Sequence, residues 1–315
     1  MTPEELAIAR IMYRLKIHEA KGQAFEDLFI KIYQLAHPAF VPIKPQGKIG
    51  DRKNDGYDNT NGTYYQVYAP EDLSANAAEA VKKLKKDFEG LKKYWDTVTP
   101  VKSYYFVMND RFLGSFPTIE TDLSEIKRKY NLQNCGSKIA KHLEDTLFGL
   151  SDDKIFSVIG FIPAPDNIST LDYSVLNSVV RHIIEYTRTE GAPEILSAPD
   201  FAEKIKVNDL SPRVSSLLWS AGNQIGIFEN YFEKNSNFSK QQIKNHLNRI
   251  YQGAKQREYP PIQEGLTNSD YVFMEVLKIS VPAQTQEYVN ATLVVMAAFF
   301  ESCDIFEEPG QKELL

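Results

Sequence analysis

The chain has 315 residues, 43% of them hydrophobic and 25% charged, with a formal net charge of −6 at pH 7. That is ordinary globular material, long enough for one large core or two smaller ones, and two domains are the better expectation. Its two cysteines, Cys135 and Cys303, have no partner at metal-ligand spacing, which argues against both a disulfide framework and zinc.

Thr2-Pro3-Glu4-Glu5 combines a capping threonine, a proline at the first helical position and a glutamate three residues after the cap, so the chain is expected to open in a helix. Glu4, Glu5, Arg10, Arg14 and Lys16 interrupt every apolar run there, so no secretory signal is expected and the protein is assigned to the cytoplasm. Gly22 breaks the helix, and Phe25, Leu28, Phe29 and Ile32 then repeat at helical spacing as far as His37-Pro38, with Glu26 beside the stripe.

Phe40 to Lys44 is a short strand candidate. Asn61-Gly62 supplies a hairpin turn, and Thr63 to Ala69 alternates as a strand. A helix opening at Ser74 places Val81, Leu84, Phe88, Leu91 and Trp95 on one face. Val101 to Met108 fits a buried central strand. The order helix, hairpin, helix, strand is α/β. Beyond Thr118 the only clear apolar run is Ile155 to Ile162, which periodicity assigns equally well to strand or helix.

After Pro163 and Pro165, helical patterns run over about 171–189, 199–206, 212–235, 239–257, 268–279 and 284–303, with start signals at Ser211-Pro212 and at Ser239 with Gln242. Ala291 to Phe300 is half of the roughly 20 residues a membrane span requires and reads as a buried helix. We therefore expect domains at 1–163 and 164–315. Residues 1–150 carry 22 Lys+Arg against 20 Asp+Glu, whereas residues 151–315 carry 14 against 22. The acidic half suits a protein partner better than nucleic acid.

The first half holds the residues best suited to chemistry. Hydrolysis of a phosphodiester calls for a hard cation, and hard cations take oxygen ligands on rigid elements. Asp55 sits near the start of the hairpin. Tyr64, Gln66 and Tyr68 share one face of its second strand, and strand pairing brings Asp55 beside Gln66. The Val67 carbonyl and Glu26 can approach the same place. Asp55-Gly56 alone reads as a turn, and the lysines between Lys82 and Lys93 as a solvated helix face. Asp51 reads as loop solubility in preference to a second acid, and the five histidines form no ligand motif. Tyr64, Tyr65, Tyr68, Tyr104 and Tyr105 read as sheet packing.

The helix glutamate, the Asp-Gly at the hairpin and the "Gln-x-" strand resemble the PD-(D/E)xK nucleases of the Mrr-like branch. The runs GDRKNDGY, TYYQVYAPE, KKLKKDFEGLKKYW, YYFVMND and FFESCDIFEEP resemble effector nucleases of Lamassu-type, or ABC-three-component, antiphage systems. The resemblance implies a restriction-endonuclease-like α/β domain, a mixed sheet flanked by helices, followed by an all-α domain. It implies an Mg²⁺- or Mn²⁺-dependent endonuclease cutting double-stranded DNA, with Asp55 and Gln66 as metal-binding positions and Glu26 as the helix acid; strand geometry adds the Val67 carbonyl and lets Glu26 join the metal ligands.

Tyr68 stands where that motif ends in lysine, so the cation that neutralises the phosphate is expected from the next helix. Lys83 is preferred and Lys85 is the alternative, while Lys53, Lys85, Lys86 and Asn109 are candidate DNA contacts. The same likeness implies an SMC- or Rad50-like ATPase and a small third subunit as partners. They would hold the nuclease inactive until release and self-association into a homo-oligomer. Two rivals stand beside this reading: a stand-alone restriction enzyme, and a degenerate nuclease fold serving as a DNA-binding or scaffold subunit.

Overall fold

A reciprocal cap opens the chain in the manner its sequence predicts. The Glu5 amide donates to Thr2 Oγ1 at 3.1 Å, and the Thr2 amide donates to Glu5 Oε2 at 2.8 Å. The computed structural model describes residues 1–47, 50–70, 77–165, 168, 172–186, 201–234, 239–302 and 305–308. Two compact units divide it: Lys16–Val158 form one, and Met1–Leu15 with Ile159–Leu315 the other.

Helix α1 (Pro3–Glu19) is followed by Gly22, whose φ of 47° ends the helical path before α2 (Gln23–Ala36). Three antiparallel strands come next: β1 (Phe40–Pro42), β2 (Gly56–Asp58) and β3 (Thr63–Tyr68). The turn between β2 and β3 is longer than the two-residue loop that Asn61-Gly62 suggests. The Gly62 amide closes it on the Asp58 carbonyl at 3.0 Å, with Gly62 at φ 69°. A Cβ at Gly62 would also lie 2.5 Å from the Pro100 carbonyl oxygen, so both backbone angle and space demand glycine.

Helix α3 (Ala77–Trp95) then leads to β4 (Ser103–Met108), parallel to β3. The predicted start at Ser74 lies outside the described residues. Three elements went unread in the sequence: α4 (Pro117–Lys129), β5 (Asn134–Lys138) and α5 (Ala140–Phe148). β5 pairs parallel to β4 at the end of the order β1-β2-β3-β4-β5. Its sequence, NCGSK, carries no apolar alternation because none of its residues is buried. The run around Ile155 is helix α6 (Asp152–Ile159).

Side chains alternate across β3, and each face finds its own cover. Tyr64 packs 5.7 Å from Trp95 of α3, in a core with Leu84, Phe88, Leu91, Tyr104 and Phe106. Tyr65 turns to the opposite face, against Phe29 and Tyr33 of α2, and stacks at 5.6 Å on Tyr105. The sheet is therefore mixed and flanked by helices, and the tyrosines pack it.

The second unit is helical among the described residues. It contains α7 (Tyr173–Tyr186), α8 (Phe201–Val207), α9 (Pro212–Gly222), α10 (Ile225–Lys234), α11 (Lys240–Lys255), α12 (Asn268–Ser280) and α13 (Gln286–Glu301). The single helix expected over 212–235 is two, broken at 223–224. The predicted caps are present, with Ser211 accepting from the Val214 amide and Ser239 exchanging bonds with Gln242. Every residue from Val289 to Phe300 is buried, and α7, α9, α10 and α12 pack on that apolar helix.

The division differs from the expected boundary at 163/164. The first fifteen residues group with the second unit: Ile8, Ile11 and Leu15 are buried, and Arg14 donates to the Pro261 carbonyl at 3.1 Å. Among the described residues no helix is long and apolar enough to cross a membrane.

Candidate active site

Asp55 immediately precedes β2 and continues its ladder by one residue. Its amide donates to the Tyr65 carbonyl at 3.1 Å, and its carbonyl accepts from the Ile43 amide at 3.1 Å. The next ladder donor on β3, the Val67 amide, meets the Asp55 carboxylate instead, at 2.6 Å from Oδ2. Main chain on both sides therefore holds the side chain in place. Asn54, fully buried, accepts from the Gly56 amide at 3.1 Å and shapes the same turn.

Burial pushes the Asp55 carboxyl up to about 7 from its ordinary 3.8. The Val67 hydrogen bond opposes the shift, the charges of Glu26 and Asp51 add to it, and that of Lys83 opposes it. Asp55, Glu26, Asp51 and Lys83 thus share one electrostatic neighbourhood. Asp51 also shapes the loop, since its Oδ1 accepts from the Lys53 amide at 2.7 Å.

Gln66 lies on the sheet face covered by α3, with its amide fixed at both ends. Tyr104 Oη donates to Oε1 at 2.6 Å, and Nε2 donates to Asp87 Oδ2 at 2.9 Å. Asp87 is buried and its other oxygen takes the Lys53 ammonium at 3.1 Å, so the interior charge is compensated. The sequence reading missed Asp87. A signal was available, since Asp87 lies beside Phe88 of the apolar stripe and an acid so close to a buried face calls for a partner.

Lys83 and Asp87 are one helical turn apart on α3, and both turn toward β3. Lys83 Nζ stands 4.9 Å from the centre of the Tyr68 ring, over the strand position where the nuclease motif has its lysine.

The remaining candidates separate. Val67 meets Asp55 through its N–H, where the sequence reading expected its carbonyl. Lys85 reaches away to α4, pairing with Asp122 at 2.8 Å and Glu125 at 3.4 Å. Lys86 is exposed, and Lys53 is tied to Asp87. Asn109 is no surface contact: it is 5% exposed, and its Nδ2 donates to the carbonyls of Ile17 and Ala20 at 2.8 Å each. Its polar type reflects the need to satisfy two carbonyls at the end of α1. Among the described residues, no three His, Cys, Asp or Glu side chains gather as a metal-binding group.

Gly56 keeps the turn beside Asp55 compact. A Cβ there would fall 2.3 and 2.5 Å from atoms of the Phe40 ring, which Phe29, Tyr33 and Tyr65 enclose with centroids 5.6–5.8 Å away. Gly56→Ala is expected to cost about 1–3 kcal/mol through overpacking. Thermal melts check this, and a midpoint equal to that of the wild type would show that Phe40 has room to yield.

Residues 174–307 match the family model of C-terminal domain 10 of the ABC-three component (ABC-3C) systems. No curated protein and no solved structure matches the chain. The matched stretch covers the helices of the second unit from α7 to α13, so the likeness to ABC-three component systems belongs to that part of the chain.

Proposed function

We propose that residues 16–158 are a divalent-metal-dependent DNA endonuclease of PD-(D/E)xK type, and that the chain is the effector of a multi-component defence complex. The observation that carries the proposal is the setting of Asp55: a carboxylate held by β3, charged against Glu26 and Asp51, with Lys83 over Tyr68 beside it. The mixed sheet flanked by helices is the architecture that the resemblance implies.

The donors near Asp55 are of the chemical type that a hard cation takes, although no three of them gather as a group among the described residues. Asp55, Glu26 and Asp51 are oxygen donors; burial raises the Asp55 pKa, the charges of Glu26 and Asp51 add to the rise, and a bound cation offsets both. Asp55 and Glu26 would hold Mg²⁺ or Mn²⁺, and Gln66 Oε1 retains one lone pair beyond its Tyr104 bond. When bound, the ion polarises the phosphate and activates water. Lys83 places positive charge where the phosphate gains negative charge, and Val67 orients the Asp55 carboxylate. Asp87 and Tyr104 hold the Gln66 amide in one orientation.

The second reading is a nuclease-like subunit that binds DNA without cutting it. It is favoured by the engagement of both ends of the Gln66 amide and by the absence of a three-acid group among the described residues. Plasmid nicking with Mg²⁺ or Mn²⁺, with Asp55→Ala run beside the wild type, separates the two. The nuclease reading expects a loss of at least about a thousandfold in the variant. Equal cleavage by both proteins means contamination, and no cleavage by either favours the binding subunit.

The partner reading rests on the matched helical unit. An SMC- or Rad50-like ATPase and a small third subunit would bind there and keep the nuclease inactive, and release followed by self-association would pair two sites for cutting both strands. Equal cleavage rates for the ATPase-bound chain and the freed oligomer would remove this step.

A further inference from the structure

A second feature, lined by Arg52, Lys53 and Lys93, lies close to Asp55 in the chain and belongs to none of the roles given so far. The loop before β2 and the outer side of α3 enclose a groove of about 590 Å³, walled by Gly50, Arg52 and Lys53 on one side and by Gly90, Lys93 and Tyr94 on the other. We propose that this groove seats the phosphodiester backbone of duplex DNA, with Arg52 and Lys93 as the anion-binding side chains. The inference rests on the nuclease reading for its choice of substrate, although binding and cutting are separately measurable.

One stripe of α3 connects the groove to the site. Lys83, Asp87, Gly90 and Tyr94 follow one another at spacings of four, three and four residues. Lys83 stands over Tyr68, and Asp87 anchors Gln66 and Lys53. Gly90 leaves space for the Lys53 stem, whose Cγ would lie 3.6 Å from a Cβ at that position. Tyr94, 40% exposed, carries the Arg52 guanidinium 4.9 Å from its ring centre. A backbone lying in the groove therefore runs beside the loop that ends in Asp55.

The charges favour a phosphate over other ligands. Three cations line the groove against one acid, Asp51, in a chain whose net charge is −6. Asp87 already neutralises Lys53, whereas Arg52 and Lys93 are exposed and make no ion pair among the described residues. A guanidinium resting on an aromatic ring keeps its edge free for two parallel hydrogen bonds to a phosphate. The groove is open to solvent and has one aromatic ring, Tyr94, so it suits a continuous backbone better than an enclosed nucleobase or free nucleotide.

Binding of a short fluorescent duplex to the full chain in EDTA tests the proposal without cleavage. The double variant Arg52→Gln/Lys93→Gln is expected to weaken binding about tenfold and to flatten the log–log salt dependence by about 2, at roughly 0.9 for each phosphate no longer neutralised. Lys102→Gln, an exposed lysine outside the groove, should bind as the wild type does. Competition by inorganic phosphate at concentrations equimolar with the duplex phosphates would instead identify a small-anion site and overturn the assignment to DNA. Unchanged affinity and salt slope in the double variant would overturn it as well. Wild-type protein that binds but does not cut when Mg²⁺ or Mn²⁺ is supplied, with the expected weakening in the double variant, upholds the groove while sinking the nuclease reading.

Discussion

Asp55→Asn is expected to raise the unfolding midpoint of the metal-free protein at pH 8 by roughly 5–10 °C. The sign comes from linkage. Burial, reinforced by Glu26 and Asp51, raises the native carboxyl to about 7 from 3.8, so between about pH 4 and pH 7 the folded chain keeps a proton that the unfolded chain has released. Wild-type stability therefore falls as pH rises through that window, and the loss is complete above it. At about 1.4 kcal/mol per unit the full shift corresponds to about 4–5 kcal/mol, and at about 2.1 cal/mol/K of unfolding entropy per residue each kcal/mol moves the midpoint by roughly 1.5–2 °C in a chain of this size. Asparagine removes the charge and keeps an oxygen for the Val67 amide.

Melts of both proteins in EDTA at pH 5 and pH 8 decide the matter. The gap should be widest at pH 8 and narrow toward pH 5. An asparagine variant less stable than the wild type at pH 8 would exclude a strained buried charge at Asp55. Added Mg²⁺ supplies a second readout: under the nuclease reading it raises the wild-type midpoint and leaves the variant nearly unmoved. Function and instability would then share one origin, because the charge that destabilises the empty fold is the one that holds the cation.

Phe300→Ala carries the largest expected loss, about 3–5 kcal/mol. The ring is fully buried in the second unit, 5.2 Å from Phe201 and 5.5 Å from Phe306, with Lys204 Nζ 4.8 Å from its centre. Lys204 is itself 1% exposed and donates to the Phe300 carbonyl at 2.9 Å. Truncation opens a cavity among Phe201, Lys204 and Phe306 and also strips a buried ammonium of its aromatic face. Phe300→Leu refills most of the volume and should recover part of the loss without restoring the cation–π interaction. Urea unfolding of the three proteins measures the split, and an alanine variant within about 1 kcal/mol of the wild type would show that the neighbouring rings collapse into the space. Residues 174–307 are the part that matches the ABC-three component domain, so under the partner reading proposed above the same variant loses partner binding together with stability.

Local chemistry settled much of this protein. The Thr2, Ser211 and Ser239 caps, the break at Gly22 and the apolar run of α13 are each decided by a few neighbouring residues, and all are present in the fold. Alternation along β3 likewise placed Tyr64, Gln66 and Tyr68 on one face. What depended on distant chain could not be read. β5 exists because β4 offers a free edge, and its own residues carry no strand signal. Asn109 looked like a surface residue until two carbonyls from α1 accounted for it.

The site divides along the same line. Asp55 and Gln66 were visible because hairpin register is a local property, whereas Asp87 joined them only when α3 crossed the sheet. Lys85 and Lys83 are two residues apart on one helix, and nothing nearby in sequence separates them. Asp122 on α4 draws one away, and Tyr68 on β3 lies beneath the other. Helical angle fixes the direction of a side chain, but only packing decides what it meets.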